Sequence, residues 1–184
     1  MNDPDRHRPR YRQRAVTDDA EIREFLHRHP WGVLTTVDAG EPVPTPLLYV
    51  YDSEAHAIDA HVSPAGRSAA IAETGSAGAF TVASMGEIIH AWEAWEFDTE
   101  YESVIAHGGV ELLEDADAKQ DALARLMAKY APEMTAGADY RAITDEEIRG
   151  TAVIRLSIED WSAKRNRADP EDATAAFVPD WRSE

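Results

Sequence analysis

The sequence contains no cysteine, few lysines and no long apolar run. The absence of cysteine excludes disulfide bonds, cysteine-ligated metal sites and thiol-based catalysis. Because no window of about eighteen residues is wholly apolar, the sequence predicts no membrane-spanning helix. The first fourteen residues are polar and lack the apolar core of a secretory signal, so we expect a cytoplasmic protein.

Negative charge dominates the chain, since Asp and Glu number 35 against 18 Lys and Arg, which gives a net charge of −17. The lysines are Lys119, Lys129 and Lys164. Such an acidic surface repels nucleic acid and anionic membranes, so neither is an expected partner. Acidic, lysine-poor surfaces suit a cytoplasm of very high salt, where repulsion between like charges is screened. We therefore favour a salt-adapted source over an acidic mesophilic one.

The length of 184 residues suits one domain with a substantial core. Residues 1–14 carry five arginines and form a basic arm. We expect this arm to be flexible and to lie on its own acidic body, with contact to nucleic acid or a partner as the alternative. Residues 15–167 contain the periodic segments and form the domain, whereas residues 168–184 are expected to form an irregular tail.

Hydrophobic periodicity and turn residues predict an order of helix, three strands, short helix, three strands, helix and strand. The strands follow one another through tight turns, and Gly108 and Gly109 mark a bulge or bend. This order favours a mainly β, α+β fold, in which an antiparallel sheet closes into a small barrel with peripheral helices. The predicted elements are helix 17–29, strands 31–37, 42–52 and 56–62, helix 66–74, strands 77–84, 87–95 and 102–114, helix 115–132, a helical turn at 144–149 and strand 151–161.

The stretch HVSPAGRSAAIAE, His61 to Glu73, joins a predicted strand to a predicted helix through a turn that contains Pro and Gly. Such a turn followed by arginine can bind an anion, because the guanidinium grips two oxygens and glycine lets the backbone approach. The alternative is an ordinary strand-to-helix joint, in which Arg67 pairs with an acid such as Glu73. The residues by themselves leave both interpretations open.

Four segments in the same order resemble the FMN-binding split-barrel superfamily, in the pyridoxamine 5'-phosphate oxidase-like branch that contains nitroimidazole-resistance proteins. They lie within residues 15–167 and are WGVLTTVDAGEPVPTPLLYVYD, IDAHVSPAGRSAAI, YESVIAHGGVELLEDADAKQDAL and IEDWSAKRNR. The resemblance implies an antiparallel split β-barrel that forms a homodimer and binds FMN in two clefts at the subunit interface.

The resemblance places the FMN phosphate at the joint that follows His61. There Arg67 would grip the phosphate, Ser68 and Ser63 would offer hydroxyl groups, and Gly66 would let the backbone come close. The family often has lysine where this chain has Ser68, so one positive charge is missing. His61 would face the ribityl chain or the ring, with a structural histidine as the alternative.

Further cofactor contacts are implied elsewhere in the chain. Lys164 and Arg165 would supply the missing charge across the dimer, or else form a solvated basic end. Leu47, Leu48 and Tyr49 would line the floor of the cleft, with plain barrel core as the alternative. The remaining candidates are Ser103 and Val104, as ring or phosphate contacts, and Trp92, Trp95 and Trp161, as covers for the flavin or residues of the dimer interface.

The activity implied by the resemblance is that of an FMN-dependent oxidoreductase acting on a nitro compound, a quinone or a similar small molecule, with NAD(P)H as electron donor. The cofactor carries the chemistry, so no catalytic or metal-ligating residue is predicted. Oxidation of pyridoxamine phosphate is disfavoured, because few basic residues remain for a second phosphate site. The alternatives are a non-catalytic flavin carrier, sensor or regulator, and a split barrel that holds deazaflavin, or haem with His61 as axial ligand.

Overall fold

The computed structural model describes residues 6–168, and the predictions for residues 1–5 and 169–184 lie outside the described residues. The helices are α1 (Asp19–Arg28), α2 (Arg67–Glu73), α3 (Ala116–Tyr130) and α4 (Asp145–Gly150). The strands are β1 (Ala15–Val16), β2 (Trp31–Asp38), β3 (Glu41–Leu48), β4 (Val50–Asp52), β5 (Ala57–Val62), β6 (Ser76–Ile89), β7 (Asp98–Leu112) and β8 (Ala152–Asn166). Within residues 6–168, none of the helices combines the length and hydrophobicity needed to cross a lipid bilayer.

The strands form one antiparallel sheet in the order β3-β2-β6-β7-β8-β5-β4, with β1 paired to β8. The two outermost strands of this order, β3 and β4, are consecutive in the chain and are separated by Tyr49 alone. The sheet must therefore curl until its two edges nearly meet, which makes a half-barrel. The predicted antiparallel barrel with peripheral helices is confirmed.

The hairpin of β2 and β3 shows how local sequence sets the register. Ala39 and Gly40 both have positive φ angles, of 49° and 85°, as a two-residue type I′ turn requires. The strands then pair without a shift from Asp38 opposite Glu41 to Trp31 opposite Leu48. The hairpin turn predicted in DAGE is therefore confirmed.

The structure corrects the predicted strands at two places. Predicted strand 42–52 is interrupted at Tyr49, which divides it into β3 and β4. Segment 87–95 is not a strand of its own, because its first residues continue β6 past a register shift that follows Met85. The rest of that segment is a turn with a 3-10 helix at Ala94–Glu96. Its aromatic residues have high strand propensity, but they lie in an exposed turn where propensity does not decide the structure.

The last two long strands extend beyond their predicted ends. β7 begins at Asp98 and β8 continues to Asn166, and the two remain paired to Tyr101 opposite Asn166. The irregularity predicted at Gly108 is confirmed, since the β7–β8 register shifts between His107 and Gly108. Continuous pairing along both strands explains why their ends, which carry polar residues, remain in the sheet.

Two helices close the ends of the half-barrel. Near the start of β2, α1 buries Ile22, Phe25 and Leu26 against the barrel core. Near the end of β2, α2 buries Ile71 and Ala72. The core between them is built from the inward-facing alternate residues of the strands, as expected for a sheet with one buried face.

α3 lies outside β4 and β5 and is held there by buried charges. Asp59 is fully buried, and its carboxylate accepts two bonds of 2.7 Å from Arg155 and one of 3.1 Å from Arg125 of α3. Arg125 also contacts Asp52 at 3.0 Å. The hydrogen bonds that Arg155 donates to Asp59 raise the pKa of Arg155 above its ordinary value. A buried pair of this kind couples the helix to the sheet, because removal of one partner leaves an uncompensated charge.

The outer side of β3, β2 and β6 is exposed instead, and we call its outward-facing residues the bare face. Trp31, Val37, Leu48 and Met85 on this face are 53%, 55%, 49% and 64% exposed. Over β3, β2 and the part of β6 up to Met85, no position of the bare face holds Asp, Glu, Lys or Arg; the exposed Glu87 lies beyond, at the register shift of β6. Its positions are Trp31, Val33, Thr35, Val37, Pro42, Pro44, Pro46, Leu48, Ala77, Ala79, Thr81, Ala83 and Met85.

Tyr49, the residue between the two edge strands, is fully buried, and its hydroxyl donates to the Leu26 carbonyl at 2.7 Å. The Tyr130 hydroxyl, at the end of α3, accepts from the Tyr49 N–H at 2.9 Å. It also lies 2.8 Å from the Tyr49 carbonyl and 2.5 Å from the Pro30 carbonyl, and it donates its proton to one of them at a time. The Tyr130 side chain thus provides hydrogen-bond partners for the N–H and carbonyl of Tyr49, which are not paired with a neighbouring strand.

Tyr130→Phe removes this hydroxyl and leaves the backbone of Tyr49 without that partner. We expect the free energy of unfolding to fall by about 1–3 kcal/mol, the usual cost of leaving a buried polar group unsatisfied. Equilibrium unfolding in urea measures this loss. Tyr11→Phe is the control, because Tyr11 is 62% exposed. Equal stabilities of the two variants would contradict the role assigned to Tyr130.

Candidate functional site

The free edge of β3 meets the joint between β5 and α2, and we call this junction, with the surface beside it, the edge groove. Thr45 of β3 and Ser68 of the joint meet across it, with their hydroxyl oxygens 3.1 Å apart. Arg67 contacts Asp38 on one side of this pair, and Leu48 shares a cavity with His61 on the other. The structure therefore brings the candidates on β3 and those at the joint into one site.

Arg67, the residue predicted to bind an anion, pairs with Asp38 of the first hairpin. Its Nε donates to the Asp38 carboxylate at 2.8 Å, and the two side chains are 56% and 43% exposed. The acid that pairs with Arg67 is therefore Asp38 rather than Glu73. Such an exposed pair contributes about 0–1 kcal/mol and uses one N–H donor of the guanidinium. The bond leaves the terminal amino groups available for a second anion.

The turn before α2 is compact. The Gly66 N–H donates to the Ser63 carbonyl at 2.9 Å, and a Cβ on residue 66 would lie 3.0 Å from that oxygen. The φ of Gly66 is −84°, which any residue adopts, so the close approach favours glycine here. The turn fixes Arg67 and Ser68 at the start of α2, where both side chains contact the first hairpin.

An apolar cavity of about 430 Å³ adjoins the edge groove between α3, α4 and the ends of β3 and β5. Leu48 and His61 line it from the sheet. A cavity of this size with mostly apolar walls and few polar groups is typical of small-molecule and cofactor sites. The other lining residues are Leu123, Leu126, Met127, Tyr130, Arg141, Ile143, Glu147 and Thr151.

An ion pair fixes the rim of the apolar cavity. Arg141 donates to the two carboxylate oxygens of Glu147 at 3.1 and 2.7 Å, and Glu147 also closes a capping box with Thr144 at the start of α4. The hydrogen bonds from Arg141 and from Thr144 lower the pKa of Glu147 to about 2. The carboxylate therefore stays ionised at neutral pH, and it holds the Arg141 guanidinium at the rim.

The three candidates for the cleft floor differ in exposure. Leu47 is partly buried against the barrel core, whereas Leu48 is 49% exposed and lines the cavity. The side chain of Tyr49 is fully buried and belongs to the closure of the barrel. Leu48 is thus the floor candidate whose side chain faces the cavity.

The candidates on β7 and β8 lie away from the edge groove. Ser103 and Lys164 are cross-strand partners, and β2 and β6 separate β7 from β3. Three strand spacings place Ser103 about 14 Å from β3. Arg165 is bonded to Glu102, and to Glu21 at 2.7 Å, so its charge is compensated within the chain.

Val104 and Trp161 also have partners inside the chain. The Val104 side chain is buried in the barrel core. The Trp161 indole donates to Asp19 at 3.2 Å and packs edge-on against His56, with ring centroids 4.6 Å apart. Within one chain, therefore, the candidates on β7 and β8 do not join those of the edge groove.

Sequence reasoning missed two residues that the structure places at the edge groove. Thr45 stands between two prolines in PVPTPLL. Its hydroxyl is the single polar side chain of that apolar segment, and this could have marked Thr45 as a candidate site residue. Asp38 belongs to the hairpin turn, and nothing in the local pattern connects it with Arg67, which is 29 positions away. Both contacts depend on how the edge of β3 folds back over the start of α2.

Three solved structures resemble this protein over most of its length. The FAD and haem binding protein from Mycobacterium smegmatis has a TM-score of 0.77 and 25% identity, and the match covers 87% of this chain and 77% of that chain. The flavocytochrome Anf3 from Azotobacter vinelandii has a TM-score of 0.77 and 26% identity, and the match covers 92% of this chain and 79% of that chain. A candidate 5-nitroimidazole antibiotic resistance protein from Bacteroides thetaiotaomicron shares the fold, with a TM-score of 0.68 and 18% identity. That match covers 82% of this chain and 86% of that chain.

The sequence matches no curated protein. A family model described as pyridoxamine 5'-phosphate oxidase matches residues 18–165, which is most of the chain. This match confirms the resemblance inferred from the four sequence segments, and the fold of the solved structures agrees with it. The chain therefore belongs to the pyridoxamine 5'-phosphate oxidase family.

Proposed function

We propose that this protein binds a flavin, FMN in the first instance, in the edge groove and the adjoining apolar cavity. Membership of a flavin-binding family supports the proposal. So do the two solved structures at 25% and 26% identity, one named as an FAD and haem binding protein and the other as a flavocytochrome.

The observation that carries the proposal is the order of chemical groups along the groove. Arg67, Ser68 and Thr45 bring positive charge and hydroxyl groups together at one point. Leu48 lies three residues further along β3, about 10 Å away, where His61 and the apolar cavity begin. FMN carries a dianionic phosphate, a polyol chain and a flat apolar ring in the same order. The groups present in this chain therefore fit FMN.

Each residue of the site has a distinct task in this proposal. Arg67 holds the phosphate with its terminal amino groups, and Ser68 and Thr45 donate hydroxyl hydrogen bonds to phosphate or ribityl oxygens. Leu48 and the cavity walls keep water from one side of the ring, and His61 offers an imidazole at its edge. A bound flavin supplies electron transfer. We propose that the protein uses the flavin to reduce a nitro compound, a quinone or a similar small molecule, with NAD(P)H as electron donor.

We also propose that the protein is a homodimer whose chains meet through their bare faces. The chain as a whole is 29% charged, yet the bare face holds no Asp, Glu, Lys or Arg among its described positions. Depletion of charge is the compositional mark of an interface core. The edge groove borders this face, so a flavin there lies between chains. The partner's Ser103 and the partner's Lys164 then contact the flavin, which these residues cannot reach within their own chain.

Haem is a second candidate ligand of the apolar cavity, favoured by the position of His61. Its imidazole lines a cavity that is otherwise mostly apolar, which is the setting of a haem iron ligand. The names of the two structures at 25% and 26% identity include haem binding and a flavocytochrome. Haem in the cavity would take the place proposed for the flavin ring, so haem is an alternative to the flavin ring at Leu48 and His61 and not an addition to it.

The first test is an absorption spectrum of the purified protein with and without added FMN, beside that of Arg67→Ala. We expect the wild type to bind flavin and the variant to bind it about ten- to a hundredfold more weakly, because a hydrogen bond to a charged group contributes about 1.5–3 kcal/mol. Titrations with FAD and a deazaflavin show which flavin is preferred. A wild type that binds no flavin in excess FMN would overturn the proposal.

Arg28→Ala is the matched control for Arg67→Ala, since Arg28 of α1 is similarly exposed (53% against 56%) and also pairs with a carboxylate, that of Glu102 at 2.8 Å. Asp38→Asn removes the carboxylate that competes with phosphate for Arg67, and we expect it to tighten FMN binding by up to about fivefold. Oxidation of NADH or NADPH by a nitro or quinone acceptor separates an enzyme from a carrier. Without such turnover, the carrier, sensor or regulator interpretation replaces the oxidoreductase.

Thr35→Glu places a charge in the middle of the bare face and is expected to convert the dimer into a monomer. Light scattering measures the mass against the 20.4 kDa of one chain. Gln120→Glu adds the same charge to an exposed position of α3 and is expected to remain dimeric. A wild type that is monomeric, or a Thr35→Glu variant that stays dimeric, would refute pairing through the bare face.

Reconstitution with haem tests the second candidate. We expect a Soret band in the wild-type protein and its loss or shift in His61→Ala, because the imidazole that would bind the iron is removed. His27→Ala, which changes an exposed histidine of α1, is expected to keep the band. Identical spectra of wild type and His61→Ala would show that His61 does not bind the iron.

A further inference from the structure

Three prolines alternate along β3, the edge strand that borders the edge groove. Pro42, Pro44 and Pro46 occupy every second position, and all three are exposed on the bare face. Proline has no N–H group, and a carbon of its ring occupies the place of the amide hydrogen. Because backbone direction alternates along a strand as side chains do, the three prolines remove hydrogen-bond donors from the same edge of β3.

The edge that lacks donors is the free edge of β3. In an antiparallel pair, each residue points its N–H and C=O groups either both at the partner strand or both away from it, in alternation. β3 pairs with β2 without interruption from Glu41 to Leu48, so the donors of that ladder belong to the residues between the prolines. Leu48 follows Pro46 by two positions, and its N–H and C=O groups therefore also point at the free edge.

β5 has backbone groups that point toward this free edge. The His56 carbonyl, just before β5, accepts a hydrogen bond of 3.0 Å from the Ile158 N–H of β8. His61 lies an odd number of positions further along in the same β8 register, so the alternation points its N–H and C=O groups away from β8. On that side β5 pairs with β4 up to Val50 opposite Asp59, and beyond that pair it faces β3.

β3 and β5 are close to each other but do not pair. The β4–β5 register, continued by two positions from Val50, would set Leu48 opposite His61. Some residues of β3 and β5 lie within 8 Å of each other, Cα to Cα, whereas paired residues lie about 4.5–5.5 Å apart. The sheet nevertheless ends at β3 on one side and at β4 on the other. A narrow gap therefore separates Leu48 from His61.

This gap joins the edge groove to the apolar cavity. Leu48 and His61 both line that cavity of about 430 Å³, and a ladder between these two residues would close the side of the cavity that adjoins the edge groove. A flavin whose phosphate is held at Arg67 needs this opening to place its ring in the cavity.

The surroundings of β3 show which strand the prolines act on. Prolines on an edge strand commonly prevent pairing with a strand of another molecule. The free edge of β3 faces its own chain instead, because β5 lies beside it and the Thr45 hydroxyl lies 3.1 Å from that of Ser68. The strand that these prolines keep away is therefore β5.

We propose that Pro46 keeps β3 and β5 apart and so keeps the passage from the edge groove to the apolar cavity open. In the β4–β5 register Pro46 would stand opposite Ser63, where a ladder through Leu48 and His61 needs its next bond. The proline ring prevents a strand from approaching to the usual spacing of about 4.8 Å. The inference rests on the proposed flavin site and deepens it, since it makes Pro46 a positioning residue of that site.

Hydrogen exchange tests the gap without any cofactor. Pro46→Val restores an N–H group on a residue of high strand propensity, and we expect β3 and β5 to pair in this variant. The His61 amide of the cofactor-free protein, followed by NMR, should then exchange with solvent about tenfold more slowly than in the wild type.

Pro42→Val is the matched control for Pro46→Val. It makes the same chemical change on the same exposed face of β3. The β4–β5 register places residue 42 opposite Arg67 of α2, where no strand is available for pairing. We expect wild-type exchange at His61 in this control. If Pro46→Val does not fold, Pro46→Ala restores the same N–H group with a smaller side chain and carries the same expectation.

Titration with FMN tests whether the gap serves the site. The apparent affinity falls in proportion to the fraction of chains that can bind, so we expect Pro46→Val to bind FMN about tenfold more weakly than the wild type and than Pro42→Val. Urea unfolding should show no loss of stability in Pro46→Val. A proline with a merely structural role would give lower stability and unchanged exchange at His61, which would overturn the inference.

The remaining outcomes separate this inference from the proposed function. If the wild type binds FMN and Pro46→Val binds it equally well, Pro46 does not control the passage, while flavin binding stands. If the wild type binds no FMN but exchange at His61 slows in Pro46→Val alone, flavin binding fails while the role of Pro46 in the gap stands. Equal slowing of exchange in Pro46→Val and Pro42→Val would contradict the assignment to Pro46.

Discussion

The closure of the half-barrel depends on one buried residue, Tyr49, between the two edge strands of the sheet. Its backbone is bonded by the Tyr130 hydroxyl of α3, and its own hydroxyl bonds to Leu26 of α1. Lys129 adds a third contact, with its ammonium 3.7 Å from the centre of the Tyr49 ring, and burial lowers the pKa of Lys129 to about 8. Three parts of the chain therefore meet at Tyr49. The edge groove exists because β3 and β4, the strands before and after Tyr49, do not pair with each other.

The outside of the barrel is divided into two halves of different chemistry. On one half, α3 is held by the buried carboxylate of Asp59 between Arg155 and Arg125. On the other half, the listed positions of the bare face hold no charged residue. No helix covers this face as α3 covers the first half, so side chains there are exposed. The edge groove and the apolar cavity lie at the boundary between these halves. A ligand there contacts the rigid, helix-covered half on one side and the surface proposed for the partner on the other.

The acidity of the chain shapes its candidate anion site. Carboxylates hold arginines both at the site, as Glu147 holds Arg141, and away from it, as Glu102 and Glu21 hold Arg165. Arg67 is also paired, but through one nitrogen and at an exposed position. An exposed pair is weak enough for a dianionic phosphate to compete with the Asp38 carboxylate. In the proposed flavin complex, the Arg67 guanidinium is therefore shared between the Asp38 carboxylate and the phosphate.

The sequence by itself determined the antiparallel barrel class, the DAGE turn and the joint that carries Arg67, because alternation, turn residues and caps act between near neighbours. It also revealed the family through four ordered segments. Tertiary structure alone decided that Tyr49 closes the barrel, that Asp59 is a buried ion, that Thr45 faces Ser68 and that Arg165 is neutralised. These contacts join residues 23 to 144 positions apart, as between Thr45 and Ser68 or Glu21 and Arg165. No local pattern encodes such distances, because they follow from how a curled sheet brings its edges and helices together.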